Sequence, residues 1–312
     1  MASLDSSEVF CYMDTTPHPP RAGFAWQPSD AARPDCRLPL NAIMVSRNQP
    51  EERRMATFLN DSPVFGPVRS RRLGLSLGVN MMPASGKICS FDCLYCENGF
   101  NSERRCDGRH NSASTVLLAL EAKLCEMSAQ GELPDVITFA GNGEPTGAPE
   151  FPEAIAGAVK LRNELAPKAK IAVLSNGTFA DRPAVHDVLM LVDDNILKLD
   201  TVDPAYIELL DRPVGSYDVE HQIETYASFN GHVIVQTMFL AGEYGGKRLD
   251  NTGDEYVTPW LAALKRIRPQ EATIYTVARD TPAPGLRKAS PDVLDAIARR
   301  VEALGIPCQV SY

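Results

Sequence analysis

The sequence lacks the long hydrophobic runs, the basic excess and the cysteine density that mark several large classes of protein. No apolar run in its 312 residues approaches the roughly 18 that a membrane-spanning helix requires. The first residues lack the basic start and apolar core of a secretory signal. Acidic residues number 40 and basic residues 31, which gives a formal charge of −9. We therefore expect a cytoplasmic protein that neither binds a membrane nor coats nucleic acid through its overall charge.

The composition is that of a globular protein of ordinary size. Hydrophobic residues make up 44% of the chain and charged residues 23%, a balance that excludes disordered and fibrous proteins. Eight cysteines are too few for a disulfide scaffold in a chain of this length. Their spacing is therefore more informative than their number, and three of them fall within eight residues.

Residues 1–54 differ in composition from the rest of the chain. They contain seven of the 24 prolines and show no sustained hydrophobic periodicity. Proline removes backbone donors and resists regular structure, so we predict a flexible N-terminal extension, followed by one domain over residues 55–312. An over-long start, with Met55 as the natural first residue, is the alternative.

Hydrophobic periodicity after Leu73 alternates between strand and helix. From Leu73 to Val79 apolar residues occupy every second position, which predicts a strand. Further strands are predicted over residues 135–140, 171–175, 195–200, 232–240, 272–277 and 306–311. Helical spacing predicts helices over residues 114–127, 152–165, 182–191, 218–229, 258–267 and 291–304.

Strict alternation of strand and helix implies βαβ units and a parallel sheet. We predict an α/β protein in which residues 55–312 form a partial TIM-type (β/α)6 barrel. In such a barrel, the chemistry takes place at the carboxyl ends of the strands. A flat, doubly wound sheet is the alternative, because local patterns do not show whether a sheet curls.

Cys89, Cys93 and Cys96 follow the first predicted strand, with gaps of three and then two residues. Three thiolates on one short loop can bind three irons of an iron–sulfur cluster and leave the fourth iron open. Zinc would require a fourth Cys or His at close spacing, and a ferredoxin-type carrier would supply a fourth Cys itself. Three unrelated buried thiols are the remaining alternative. The polar, Gly-flanked setting favours the open cluster.

This spacing, with Tyr95 directly before the third cysteine, resembles the signature of the radical S-adenosylmethionine (radical SAM) superfamily. The similarity runs from segment 66–80 through the cysteines to segment 141–145, and covers about residues 63–312. It points to a group of small radical SAM proteins akin to the glycyl-radical activating enzymes and the wyosine-forming tRNA enzymes. These motifs are specific to the superfamily and not to a substrate.

The resemblance implies an enzyme of the oxidoreductase or transferase type, with one 4Fe–4S cluster and S-adenosyl-L-methionine (SAM) as cofactors. In the superfamily, SAM is reductively cleaved at the cluster to a 5′-deoxyadenosyl radical, which abstracts hydrogen from the substrate. A protein glycyl residue, a tRNA base and a small molecule all remain open as substrates. A non-catalytic iron–sulfur electron carrier or redox sensor is the alternative, and the missing fourth cysteine argues against it.

The resemblance also assigns residues to the cofactor. Gly143 and Glu144 occupy the place of the superfamily's Gly-Gly-Glu stretch, which meets the ammonium of SAM, although Asn142 replaces one glycine. An ordinary polar turn is the alternative for this stretch and for the turn at 175–177. Further candidate contacts with SAM are Tyr95, Ser175, Asn176, Lys198, Asp200 and Gln236.

Strand alternation places Lys198 and Asp200 on one face of a strand and Leu197 and Leu199 on the other. The leucine face is expected to lie under the helices, which turns both charges toward the barrel interior. Buried charges are costly unless they are paired or liganded, so the two residues predict a site. A purely structural ion pair is the alternative.

A group of basic residues stands out against the acidic whole. Its later members are expected near the mouth of the cluster site, where they would receive an acidic electron donor such as flavodoxin or ferredoxin, or an anionic substrate. An ordinary solvated loop is the alternative. The group consists of Arg69, Arg71, Arg72, Lys87, Arg104, Arg105 and Arg109.

Overall fold

The computed structural model describes residues 58–70, 72–104, 106, 108–279 and 281–312, so the predicted extension over 1–54 lies outside the described residues. The strands are β1 (Val64–Ser70), β2 (Gly74–Val79), β3 (Val136–Phe139), β4 (Lys170–Ser175), β5 (Asp194–Lys198), β6 (Ile234–Met238), β7 (Leu240–Tyr244), β8 (Lys247–Asp250), β9 (Glu271–Tyr275), β10 (Leu286–Lys288) and β11 (Cys308–Ser311). The helices are α1 (Asn101–Arg104), α2 (Ala113–Gln130), α3 (Phe151–Leu165), α4 (Pro183–Leu189), α5 (Pro204–Leu210), α6 (Val219–Ser228), α7 (Asp254–Ile267) and α8 (Pro291–Glu302).

Within the described ranges, eight strands form one curled sheet in the order β1-β2-β3-β4-β5-β6-β9-β11. β1 pairs antiparallel with β2, and every later pair of neighbours is parallel. Helices cross over between successive parallel strands, as βαβ units require. The predicted α/β partial barrel is confirmed, and the flat alternative is wrong.

The two faces of the sheet have different compositions. The outer face is apolar and packs under the helices, with Leu197 and Leu199 in the main hydrophobic core as predicted. The inner face carries a small apolar cluster of Val136, Ala172 and Ile196 at the amino ends of the strands. Polar residues follow toward the carboxyl ends. The barrel interior therefore has an apolar floor near the amino ends of the strands and a polar upper part near their carboxyl ends.

The helix ends show why the chain turns where it does. The hydroxyl of Ser290 accepts a hydrogen bond from Val293 N at the start of α8, with Pro291 in the first turn. The helix α5, which the periodicity did not predict, begins in the same way. Asp203 accepts from Tyr206 N at 2.7 Å, and Pro204 follows it. No helix among the described residues is long and apolar enough to cross a membrane.

The predicted strand over 232–240 is split in the structure. β6 ends at Met238, and the chain then forms a separate antiparallel sheet in the order β10-β7-β8. The amide of Leu240 donates to the Asn251 side chain at 3.0 Å, and Asn251 donates to Met238 O at 2.8 Å. The buried side chain of Asn251 thus satisfies the backbone hydrogen-bonding groups of Leu240 and Met238 where the predicted strand breaks. The continuous apolar run over 232–240 does not reveal this break.

Candidate functional site

The three cysteines lie on a loop that is fixed on two sides. On one side Ile88 N donates to Asn142 O, and Glu144 N donates to Ile88 O, both at 3.0 Å. On the other side Leu94 N donates to Leu210 O at 2.9 Å, at the last residue of α5. Cys89, Cys93 and Cys96 are themselves half-buried. The loop is therefore held between the end of β3 and the end of α5.

A buried ammonium lies beside the cysteine loop. Lys87 is only 1% exposed, and its Nζ donates to Gly99 O at 2.8 Å. Burial lowers the pKa of Lys87, but the nearby acidic groups of the cysteine loop, Asp92 among them, outweigh it and raise the pKa. Lys87 Nζ lies 3.9 Å from Asp92 Oδ1. Lys87 is thus a buried positive charge beside the loop, and nothing in the periodicity of the sequence marks it.

Burial raises the pKa of the Cys89 thiol to about 12, and that of Cys93 well above its usual range. No three ligand side chains in the described part of the chain converge on a point where a single metal ion would bind. Cluster ligands have a different requirement, because each thiolate binds its own iron and the three need not meet at one point. Three thiols on one loop meet this requirement.

Gly143 lets the end of β3 approach the cysteine loop. Its φ of +139° lies in a region that favours glycine, and a Cβ there would overlap the carbonyl oxygen of Ile88. The isolated parallel bridge between Ile88 and Gly143 depends on this close approach. Gly143 is therefore required at this position by the backbone, independently of any ligand.

Glu144 is 3% exposed and accepts hydrogen bonds from four donors. Its Oε1 accepts from Thr146 N at 3.0 Å, Thr146 Oγ1 at 2.5 Å and Ser175 Oγ at 2.7 Å, and its Oε2 accepts from Asn176 N at 2.7 Å. A carboxylate has about four lone-pair sites, two on each oxygen, so Oε2 retains capacity for a further donor. Glu144 therefore joins the ends of β3 and β4, and a free acceptor position remains for the predicted ammonium.

Asn176 connects the end of β4 to the cysteine loop. Its Nδ2 donates to Ser90 Oγ at 2.9 Å and contacts Cys89 Sγ at 3.8 Å. Its Oδ1 accepts from Thr178 N at 3.0 Å, which closes the predicted turn. Every polar atom of this side chain thus has a partner, and Asn176 positions Cys89, a role that the sequence did not suggest.

Lys198 and Asp200 belong to a buried network of four residues. Lys198 Nζ contacts Asp200 Oδ2 and the Tyr95 hydroxyl, and forms an ion pair with Asp211 Oδ1 at 2.8 Å. The Tyr95 hydroxyl donates to Asp200 Oδ2, and Asp200 Oδ1 accepts from Met238 N at 2.8 Å. The strand pattern predicted that Lys198 and Asp200 lie on one face, and the ion pair between them is the structural alternative to a site for SAM. The pattern missed Asp211, which lies in the loop after α5 and carries no periodic signal.

Gln236 is the residue opposite Lys198 in the register of β5 and β6. It is half-buried, whereas Met238, two residues further along the same face, is 5% exposed and packs with Leu94 and Tyr206 in a second apolar cluster. Gln236 thus lies on the inner face of the barrel, where the sequence predicted it. Its contact with SAM stays a prediction.

The members of the basic group differ in how exposed their side chains are. Arg69 is exposed, with its Nη2 3.9 Å from Glu132, and Arg109 is also exposed. Lys87 is buried as described above, and Arg71 and Arg105 lie outside the described residues. The predicted surface for an electron donor therefore does not include Lys87, since an internal ammonium is not available to a docking protein.

We expect the pH dependence of the free energy of unfolding to reflect the protonation of Asp211 in the buried network. Burial raises the pKa of Asp211 from 3.8 to about 7 against the pull of Lys198, and Asp200 adds to the rise. The native state then holds a proton that the unfolded chain has released, so stability falls as pH rises from about 4 to about 7. Relative to Asp211→Asn, we expect the wild-type free energy of unfolding to fall by up to ~1.4 kcal/mol per pH unit across this window. Urea unfolding of both proteins measures this difference, and parallel curves would refute the raised pKa.

Segment 58–60 bridges the two halves of the site. Phe58 N donates to Glu97 O and Asn98 Nδ2 donates to Phe58 O, both at 3.0 Å. Asn142 Oδ1 accepts from Asn60 N at 2.7 Å, and Asn142 Nδ2 donates to Asn60 O at 2.8 Å. The asparagine that replaces a glycine of the superfamily motif thus anchors this segment.

We expect a chain that starts at Met55 to assemble a cluster as well as the full chain, because all four of these hydrogen bonds remain. A chain that starts at Asp61 should take up less iron, since the bridge is lost. Iron content and thermal midpoint of the two truncated proteins check this expectation. Loss of iron binding in the longer of the two would show that residues 1–54 contribute to the site.

The fold resembles solved enzymes of one superfamily. A radical SAM methyltransferase from Sphaerobacter thermophilus superposes with a TM-score of 0.54 at 17% identity, covering 76% of this chain and 66% of that one. SuiB of Streptococcus suis, solved with its precursor peptide SuiA, gives a TM-score of 0.53 at 14% identity, covering 73% of this chain and 47% of that one. The fold is that of the radical SAM enzymes, which confirms the resemblance drawn from the sequence.

Sequence comparison is more specific about the family. A UPF0026 protein of Synechocystis sp. is 32% identical over 226 residues, covering 70% of this chain and 77% of that one. The UPF0026 protein of Methanocaldococcus jannaschii is 28% identical over 221 residues, covering 69% of this chain and 63% of that one. No family profile matches the chain. On these similarities the chain belongs to the UPF0026 family.

Proposed function

We propose that this chain is a radical SAM enzyme, which binds one 4Fe–4S cluster through Cys89, Cys93 and Cys96 and cleaves SAM reductively there. The observation that carries the proposal is the cysteine loop, fixed on both sides and placed beside a buried lysine. The fold supports it, since the same partial barrel occurs in a radical SAM methyltransferase.

The surroundings of the thiols suit a cluster. Phe91 N lies 3.5 Å from Cys89 Sγ, a distance that allows a hydrogen bond to sulfur. Three thiolates outweigh the positive charge of the oxidised cluster core, and Lys87 offsets the excess in a buried setting. Charge and hydrogen bonds near the sulfurs are the means by which a protein sets a cluster's reduction potential.

When bound, the cluster supplies the electron for the cleavage of SAM. The chain's own residues bind and orient the cofactor. Glu144, held by its four donors, would accept from the SAM ammonium through Oε2. Lys198 and Asp200 would offer a cation and an anion on the barrel interior to the carboxylate and the ribose hydroxyls. Gln236 and Tyr95 would line the place of the adenosyl group.

The superfamily chemistry leaves the substrate open. A protein glycyl residue, a tRNA base and a small molecule are all compatible with hydrogen abstraction in a barrel of this kind. An acidic electron donor such as flavodoxin or ferredoxin would approach exposed basic residues such as Arg109, which we expect near the mouth of the cluster site.

Anaerobic reconstitution with iron and sulfide tests the proposal. We expect about four iron and four sulfide per chain, and the release of 5′-deoxyadenosine and methionine when SAM and a reductant are added. Cys93→Ala should abolish both, whereas Cys308→Ala, which changes a half-buried thiol on β11, should leave both unchanged. Stoichiometric zinc without iron uptake would overturn the cluster assignment. A cluster that yields no 5′-deoxyadenosine would identify an electron carrier instead.

A further inference from the structure

Arg72 extends from the turn between β1 and β2 into the barrel. Ser70 Oγ accepts hydrogen bonds from Arg72 N at 3.3 Å and Leu73 N at 3.2 Å, which fixes the backbone of this turn. The neighbouring Leu73 packs against the apolar floor of the barrel interior. The Arg72 guanidinium lies over the ring of Tyr275, with Cζ 4.6 Å from the ring centroid.

The Arg72 guanidinium has a buried hydrogen-bond donor without a partner in the protein. Arg72 Nη1 is buried and has no hydrogen-bond partner, and no described carboxylate forms an ion pair with this side chain. Stacking occupies the face of the guanidinium, while its N–H groups point outward in the plane. A buried charged donor without a partner costs stability, so retaining one suggests a ligand.

A cavity of about 60 Å³ lies at this guanidinium, lined also by Tyr95, Met238 and Thr276. It has room for roughly four to six water-sized atoms. The other charged side chains of the described lining, Glu97 and Arg279, form an ion pair with each other. Among the described residues of the lining, Arg72 therefore contributes the positive charge that has no ion-pair partner.

We propose that Arg72 binds a carboxylate group of the substrate inside the barrel. The inference rests on the proposed function, because the cavity is a substrate site only if Tyr95 adjoins a working cluster. A guanidinium binds a carboxylate through two parallel hydrogen bonds. A single negative charge matches the positive charge of Arg72, whereas a phosphate monoester would bring a charge of about −1.5 to −2.

Sheet order places this cavity beyond most of the predicted SAM contacts, and Tyr95 is common to both. Glu144, Ser175 and Asn176 follow β3 and β4, and Lys198 ends β5. Met238 and Tyr275 end β6 and β9, which lie beyond β5 in the sheet. The carboxylate that Arg72 binds is therefore assigned to the substrate and not to SAM.

Thermal midpoints of the cluster-reconstituted full chain test the assignment, with sodium acetate as the probe. Sodium chloride at equal ionic strength and the uncharged isostere acetamide are the reference solutes. We expect a saturable rise of the midpoint with acetate only, and the same rise when SAM is present. Arg72→Met should weaken the acetate effect roughly ten- to a hundredfold. Arg69→Met, which removes an exposed arginine on β1, should not change it.

Arg72→Met should also be at least as stable as the wild type without acetate, because it removes an unpaired buried donor. An unchanged acetate response in this variant, or none in the wild type, would overturn the inference, as would a response that SAM abolishes or that inorganic phosphate exceeds. Should Arg72→Met not fold, Arg72→Lys serves instead, since it keeps the charge but loses the paired geometry. The absorbance of the cluster, measured on each sample, separates the failure of this inference from the failure of the proposed function. Protein that carries its cluster but does not respond to acetate contradicts the role of Arg72 only.

Discussion

Gly143→Ala is expected to prevent cluster assembly while most of the barrel stays folded. The new Cβ would overlap the Ile88 carbonyl oxygen, so the end of β3 must move away from the cysteine loop. The two hydrogen bonds of Ile88 would be lost, at about 0.5–1.5 kcal/mol each. Backbone strain at φ +139° adds about 1–3 kcal/mol.

The sum, roughly 2–6 kcal/mol, lies at or below the lower end of the ~5–15 kcal/mol that stabilises a typical domain. We therefore expect displacement of the cysteine loop and not unfolding of the chain. Iron content after reconstitution and the far-ultraviolet circular dichroism spectrum separate these two results.

Gly131→Ala is the matched control. Gly131 ends α2 at φ +72°, and a Cβ there would meet no atom within 4 Å. This variant carries a similar backbone strain without the overlap, so it should bind iron normally. Full iron content in Gly143→Ala would show that the bridge between Ile88 and Gly143 does not hold the cysteine loop.

Asp200→Ala is expected to lower both stability and SAM affinity. Asp200 is the shared partner of Lys198, Tyr95 and Met238 N, and its side chain is fully buried. Removing one member of a buried ion pair costs about 3–5 kcal/mol. Arg248→Ala, which breaks an ion pair with Asp250 by removing its exposed member, should cost no more than about 1 kcal/mol.

Asp200→Asn separates the structural role from the role in cofactor binding. The amide oxygen can still accept from Met238 N, and Asp211 remains as a partner for Lys198. Most of the stability should therefore return. SAM affinity should stay roughly ten- to a hundredfold weaker, because a contact with a charged group is worth about 1.5–3 kcal/mol. Calorimetric titration with SAM measures this, and wild-type affinity in the variant would leave Asp200 as a structural residue only.

The sequence alone determined the features that depend on local periodicity. A period of two predicted β2 and placed Lys198 and Asp200 on the inner face, because successive side chains of a strand point to opposite sides. The alternation of strand and helix predicted the parallel sheet, and cysteine spacing predicted the loop at its carboxyl edge. Boundaries were less well predicted: the run over 232–240 gave no sign that β6 ends at Met238.

Only the tertiary structure decided which side chains meet. Asp211 reaches Lys198, Asn142 holds Asn60, and Arg72 lies on Tyr275, although 13 to about 200 residues separate the members of each pair. Loops at strand ends carry no repeating pattern, and the crossover order of the sheet brings them together. Local periodicity therefore determined the faces of the strands, and the curl of the sheet decided which charged side chains form ion pairs.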